Sequence, residues 1–381
     1  MNNVVFTVYR AALLAKLRRW FLGVKDPYLP LPEGASLSPS MGISIAFADA
    51  PRRLGFDRDG ATNPEDWQNR ARAKLADLAG YPLIRPKPFI TACQPEESLG
   101  EGIVKRSVYL RIRPETDLPV HLVYHPSMME PAPVFLYLAG STSGVHLAWG
   151  GTRVPIDHQR VTIGADMALQ AARRGYLAVA VEQAGYGERG ERHLQKPSSD
   201  RTIDTANHLL LLGRTLMGDG ATDVSSALDW LLGKESLMQV EANRIFLFGH
   251  SAGGTLAQFA SALDPRIKGV LASGSVGPIR DTIGSRGAGS GHGIVPGFLT
   301  WFDTADMIAL VAPRPFIGLS GTRDHIFPFA GVQKAVDGAR PFYEKFGAGP
   351  SLQAVAVDGS HQYHAEASWD AWNKWIDCFL P

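Results

Sequence analysis

RIFLFGHSAGGTLAQFASALD, residues 244–264, is the stretch that organises the reading of this chain. An apolar run of strand length enters Gly249-His250-Ser251-Ala252-Gly253, and a pattern of helical period leaves it. A serine on so tight a corner projects its hydroxyl beyond the end of the strand. The glycines two residues to either side let neighbouring backbone pass without a side-chain clash. The bare pattern G-x-S-x-G is weak evidence, and an inert serine in a glycine-rich turn is the alternative. One match is present, and it falls on a strand-to-helix junction, so Ser251 is the candidate nucleophile.

Working outward, the same kind of short apolar run recurs. PVFLYLAG (133–140), YLAVAVE (176–182), GVLASG (269–274), RPFIGLSG (314–321) and LQAVAV (352–357) are too dense in apolar residues for one-sided strands. VKRSVYLRIR (104–113) alternates as a half-buried strand, and LPVHLVYHP (118–126) follows as its hairpin partner. Helical patterns lie between: MALQAARR, DVSSALDWLL, GTLAQFASALD, FAGVQKAVDGARPFYEKF and ASWDAWNKWIDCFL. Upstream, Asn63 caps a helix that opens on Pro64 and stops at Gly80. Strand alternating with helix predicts an α/β fold, a mostly parallel eight-stranded sheet covered by helices on both faces. Chemistry then belongs beyond the carboxyl ends of the strands.

An acid should follow a later strand and a base the last one. RPFIGLSG ends in Thr322-Arg323-Asp324, which places Asp324 at a carboxyl end; Asp303 and Asp306 precede the strand and are poorer choices. After LQAVAV come Asp358-Gly359-Ser360-His361, so His361 is the candidate base, with His364 as its rival. A hydrogen-bonded imidazole takes the serine proton as attack proceeds, and a carboxylate holds the imidazole in the right tautomer. The oxyanion of such a reaction needs backbone N–H donors. Ala252 supplies one, and the glycine-flanked loop Gly140–Gly144 the other, with Ser141 preferred over Thr142. Substrate-facing candidates are Trp149 after that loop, and His292, Trp301 and Phe302 in or after the glycine-rich segment 274–302. For the three aromatics, ordinary packing is an equal alternative. Glu188 and Arg189 read as a structural ion pair.

The whole chain narrows the field further. A net charge of +1 over 381 residues argues against a nucleic-acid partner. Cys93 and Cys378 form neither a disulfide framework nor a zinc site. Residues 4–22 carry Val5, Tyr9, Leu13, Leu17 and Trp20 at helical spacing, with Arg10 and Lys16 interrupting the apolar stretch. That is an amphipathic helix rather than a signal peptide, and a cytoplasmic location is expected. Packing is its favoured role over membrane contact. Residues 25–63 read as an irregular arm, so the division expected is 1–63 for helix and arm and 64–381 for the catalytic domain.

EDWQNRARAKLADL, GYGERGER, MGDGATDVSSALDWL, the stretch 244–274, APRPFIGLSGTRDHIFP and DGSHQYHAEA together resemble the α/β-hydrolase superfamily. The likeness, over about 64–380, is to its acetyl xylan esterase-like and dienelactone hydrolase-related serine esterases. The resemblance implies an α/β-hydrolase fold and a triad on Ser251, Asp324 and His361. It implies ester hydrolysis through an acyl-enzyme, a small-molecule ester substrate, and neither cofactor nor metal. A homo-oligomer is compatible with it. An amidase or peptidase using the same three residues, and a non-catalytic binding module, are the competing expectations. Two positions depart from the family pattern. Ala139-Gly140 stands where His-Gly is usual, and Glu182 where an aspartate is common.

Overall fold

The computed structural model describes residues 33–35, 37, 39–60, 63–284 and 291–376. The predicted helix at 4–22 and Cys378 lie outside them. The chain divides into two compact units, Met1–Asp49 and Ala50–Pro381. In the first, helix α1 (Pro39–Ala48) stands where an irregular arm was expected. Its apolar residues, Met41, Ile43 and Ile45 among them, are exposed and mark no single face, so no helical period was visible.

Residues 50–63, grouped with the arm by the sequence reading, belong to the second unit. Arg52 holds the buried Asp306 through Nη2–Oδ1 and Nε–Oδ2 contacts of 2.8 and 3.0 Å. The Phe56 N–H donates to the same carboxylate at 3.1 Å. Leu54 donates its N–H to the Trp301 carbonyl and accepts from Trp67 Nε1, both at 3.0 Å. No periodicity announces such point contacts. Helix α2 (Pro64–Ala79) then begins as predicted, with Asn63 Oδ1 accepting from Glu65 and Asp66 N–H, and Gly80 closing it at φ 69°.

The sheet has ten strands rather than eight: β1 (Phe89–Cys93), β2 (Glu97–Gly100), β3 (Ile103–Arg113), β4 (Thr116–Tyr124), β5 (Ala132–Leu138), β6 (Leu177–Val181), β7 (Val240–His250), β8 (Gly269–Ser273), β9 (Phe316–Gly321) and β10 (Leu352–Val357). The order is β1-β3-β4-β6-β5-β7-β8-β9-β10, with β2 also on β3. The pairs β1–β3, β2–β3, β3–β4 and β4–β6 are antiparallel. Every pair from β6 to β10 is parallel. The two unforeseen strands are exposed on most residues, so neither burial pattern marks them in sequence.

The remaining helices are α3 (Pro155–Thr162), α4 (Met167–Ala172), α5 (Arg201–Leu211), α6 (Leu216–Leu231), α7 (Ala252–Leu263), α8 (Phe298–Trp301), α9 (Thr304–Ala309), α10 (Phe329–Glu344) and α11 (Ala365–Trp375). Alternate residues of the central strands enter two cores. Leu136, Leu247, Val270 and Phe316 pack under α2, α6, α7, α9 and α10. Phe135, Phe248, Leu271 and Ile317 pack under α4 and α11, against Trp369 and Trp372. Burial on both faces is why β5 to β9 read as unbroken apolar runs. Among the described residues no helix is long and apolar enough to cross a membrane.

The Arg52–Asp306 contact makes a stability prediction. Arg52→Ala strands a buried carboxylate and should lower the unfolding free energy by ~3 kcal/mol in urea titrations, with Arg52→Lys recovering part.

Candidate active site

Ser251 sits at the junction of β7 and α7 with φ 52° and ψ −119°, a backbone conformation that costs an ordinary residue about 1–3 kcal/mol. The surroundings enforce it. A Cβ on Gly249 would lie 2.2 Å from the Gly253 carbonyl oxygen, and one on Gly253 2.2 Å from that of Leu138. The Ser251 N–H donates to the Ser273 carbonyl at 2.8 Å, which ties the corner to the end of β8.

His361 and Asp324 converge on this serine. With its proton on Nδ1, His361 donates to Asp324 Oδ2 at 2.7 Å, and its Nε2 accepts from Ser251 Oγ at 2.9 Å. Burial pushes the Asp324 carboxyl up. The bonds from His361 and from the Phe327 and Ile326 N–H groups, both at 2.8 Å, outweigh that and hold it below the ordinary carboxylate value. The loops bearing Asp324 and His361 are stitched together by Arg323 N–H to Gly359 O and Thr322 N–H to Val357 O, each 2.8 Å. The rival His364 instead donates Nε2–H to the Ser360 carbonyl at 3.1 Å. His250, beside the serine, is driven down to about 3 by burial and by the neighbouring His361 and His364, so it is neutral.

Ala252 opens α7, where first-turn N–H groups lack an intrahelical acceptor. Ser141 lines the same cavity as Ser251, and its Oγ accepts from the Tyr186 hydroxyl at 3.0 Å. Thr142 turns its hydroxyl to the Gly144 carbonyl at 3.4 Å, within its own loop. The loop is anchored at its start by Gly140 N–H on the Tyr363 hydroxyl, 3.2 Å, so it is tied to the segment that carries His361. It is anchored at its end by Glu182, whose Oε2 accepts from Val145 N–H at 3.0 Å and Glu188 N–H at 3.3 Å.

A cavity of about 310 Å³ opens beside Ser251, His361 and Ala252. Of the predicted substrate-facing residues, His292 lines it. Trp149, Trp301 and Phe302 do not. Trp149 lies on His121 of β4, ring centroids 4.8 Å apart, and beneath Lys105. Trp301 packs under Lys74, and Phe302 is buried beside Phe298. Trp149 and Trp301 are half-buried against the core, and Phe302 is a member of it. Glu188 and Arg189 do not pair with one another: Arg189 bonds Asp223, and Glu188 faces His121 and Arg153. The sequence reading missed Thr255 and Gln258, which follow Ser251 by four and seven residues on one face of α7, and Ser275 beyond β8. Helical spacing from the serine would have found the first two. Among the described residues no group of three or more His, Cys, Asp or Glu side chains is placed to hold a metal ion.

A serine on a strained corner after a central parallel strand, with its partners at the ends of two later ones, is the arrangement of the α/β-hydrolase fold. Within it, the chain belongs to the Abhydrolase family, which it matches over residues 49–340. YtaP of Bacillus subtilis (strain 168), put forward as a hydrolase, is 28% identical over 190 residues, 49% of this chain and 60% of that protein. The chain thus spans less than two thirds of that relative's length. Among solved structures, a Bacteroides fragilis NCTC 9343 protein put forward as an acetyl xylan esterase superposes with a TM-score of 0.66 at 20% identity, over 87% of this chain and 84% of that one. A glucuronoyl esterase from Teredinibacter turnerae T7901 gives 0.60 at 18% identity, over 92% and 94%. At these identities the likeness is one of fold.

Glu182 supplies a prediction of sign. Burial raises its carboxyl to about 7 from an ordinary 4.5, against the pull of its two backbone donors. A folded pKa above the unfolded one gives a stability contribution that is full below 4.5 and lost as pH rises through about 7. Glu182→Gln removes that loss. Its melting temperature relative to the unsubstituted protein should therefore increase between about pH 5 and about pH 8.

Proposed function

We propose that this protein is a carboxylic ester hydrolase in which Ser251 attacks the ester carbonyl and carries the acyl group as a covalent intermediate. The continuous path from Ser251 Oγ through His361 to Asp324, at 2.9 and 2.7 Å, carries this reading. As Oγ bonds to the carbonyl carbon, its proton passes to His361 Nε2. The ionised Asp324 stabilises the imidazolium so formed. The carbonyl oxygen gains negative charge and is received by the N–H groups of Ala252 and Ser141, donors of a kind worth ~3 kcal/mol each. Collapse of the tetrahedral intermediate breaks the bond to the leaving alkoxide, which takes the proton from Nε2 and departs as the alcohol. Water then repeats the sequence, giving the acid and restoring the serine.

Esters are favoured as substrates by the company the fold keeps, since both structural neighbours above are described as esterases. A cavity of about 310 Å³ is at the small end for ligand sites and suits a short acyl or alcohol group. A fluorophosphonate probe should label Ser251 on the folded protein. Ser251→Ala and His361→Ala should each lower kcat on a 4-nitrophenyl ester by ~10⁴-fold or more, with urea midpoints little changed, whereas His364→Ala should keep turnover within a few-fold. An anilide of the same acyl group, whose amine must be protonated before it leaves, should react far more slowly than the ester. Absence of labelling on folded protein would remove the proposal.

A further inference from the structure

Several of the side chains around the cavity beside Ser251 carry hydroxyls, yet these bond to nearby backbone. Thr304 donates to the Gly277 carbonyl at 2.7 Å, Thr282 to that of Pro278 at 3.0 Å, and Thr255 to that of Ser251 at 3.4 Å. The Gln258 amide donates to the carbonyls of Ser275 at 3.0 Å and Gly254 at 3.3 Å. Its Oε1 is fully buried, as is Ser275 Oγ, so neither oxygen meets a guest. The threonine that follows Ser251 by one helical turn presents its methyl instead. A Cβ built on Gly293, which lines the cavity, would lie 3.6 Å from Thr255 Cγ2 and 2.8 Å from Ile283 Cδ1. Ile279, Ile283 and Ile326 line the cavity and are only half-buried. Phe327 stands beside them, its ring stacked on His361 with centroids 6.1 Å apart. Among the described residues no Asp, Glu, Lys or Arg lines the cavity.

We infer that the group lodged in this cavity is a short hydrocarbon chain, on the acyl or the alcohol side of the ester, and that Ile279, Ile283 and the Thr255 methyl select it. This rests on the ester-hydrolase reading and adds the substrate class to it. Half-buried isoleucines beside a reactive serine hold apolar surface that a guest can take out of water. Each methylene so covered is worth about a fourfold gain in binding. A hydroxyl or ether oxygen on the guest would give up its water and find no side-chain donor among these walls. A charged group would do worse, with no opposite charge to meet it. A sugar ring, with a hydroxyl on nearly every carbon, is the guest this lining suits least.

Two pairs of esters of matched shape test this and separate the two sides. One compares 4-nitrophenyl butanoate with 4-nitrophenyl methoxyacetate, the other butyl acetate with 2-methoxyethyl acetate. Each pair exchanges one methylene for an ether oxygen. Dividing kcat/KM by the rate at which hydroxide hydrolyses the same ester removes the difference in intrinsic reactivity. In one pair the corrected ratio should favour the hydrocarbon by about fivefold or more, since an ether oxygen buried without a donor is penalised. Ile279→Thr and Ile283→Thr put a hydroxyl into the wall at nearly constant shape, and each should lower that preference severalfold. Ratios at or below one in both pairs, or a preference that neither variant moves, overturn the inference. Fluorophosphonate labelling of the same preparations separates the two readings. Labelled Ser251 with flat ratios overturns this one alone, and unlabelled Ser251 overturns both.

Discussion

At residue 251 the chain must turn from a strand buried on both faces into a helix within one residue, and a side chain must stand on that turn. The left-handed φ of 52° puts Ser251 Cβ where a relaxed corner would not. Neighbouring elements supply the compensation. β7 is clamped between β5 and β8 through Leu136, Leu247 and Val270, so the strand cannot twist to relieve the corner. The glycines at 249 and 253 sit against carbonyl oxygens where a methyl group would collide. A relaxed turn would carry the hydroxyl away from His361, and the 2.9 Å contact would be lost.

The other members of the site are held in reference to that corner by backbone more than by side chains. Asp324 is aimed by two N–H groups of its own loop, which also keep it ionised in a buried place. The Arg323 N–H bond to Gly359 O makes the loop of Asp324 and the loop of His361 one piece. Gly140, through the Tyr363 hydroxyl, brings the loop 140–144 into the same assembly. Glu182 secures the far end of that loop at the price of a buried carboxyl raised to about 7. The two backbone N–H donors favour its ionised form, and burial opposes them.

Much of this was legible before any coordinates. Strands buried on both faces write themselves as dense apolar runs, which is why β5 to β9 were found, although β7 begins at Val240, ahead of the predicted run at 244, where part-exposed residues carry no such pattern. The placing of Asp324 and His361 close to Ser251 follows from position alone, one strand end each, in the chain order of this fold. β1 and β2 were invisible because exposed strands carry no burial pattern. Trp149, Trp301 and Phe302 were misplaced for a different reason. An aromatic after a strand end is equally suited to a pocket wall or the core, and its spacing in sequence does not decide between them. Gln258 lay unnoticed as a polar residue on a buried helix, where spacing from Ser251 was the clue. The bonds of residues 50–63 to Asp306 and Trp301 depend on contacts between distant parts of the chain, which local patterns do not record.

The central claim is that the 251 hydroxyl becomes a covalent carrier during turnover, and the intermediate itself is the most direct witness. Enzyme mixed with excess 4-nitrophenyl ester and quenched in acid within the first turnover should gain the mass of one acyl group. Peptide mapping should find that group on Ser251, with a matching burst of nitrophenol. Steady turnover with no acyl-protein at any quench time, retained after Ser251→Ala, would contradict the account.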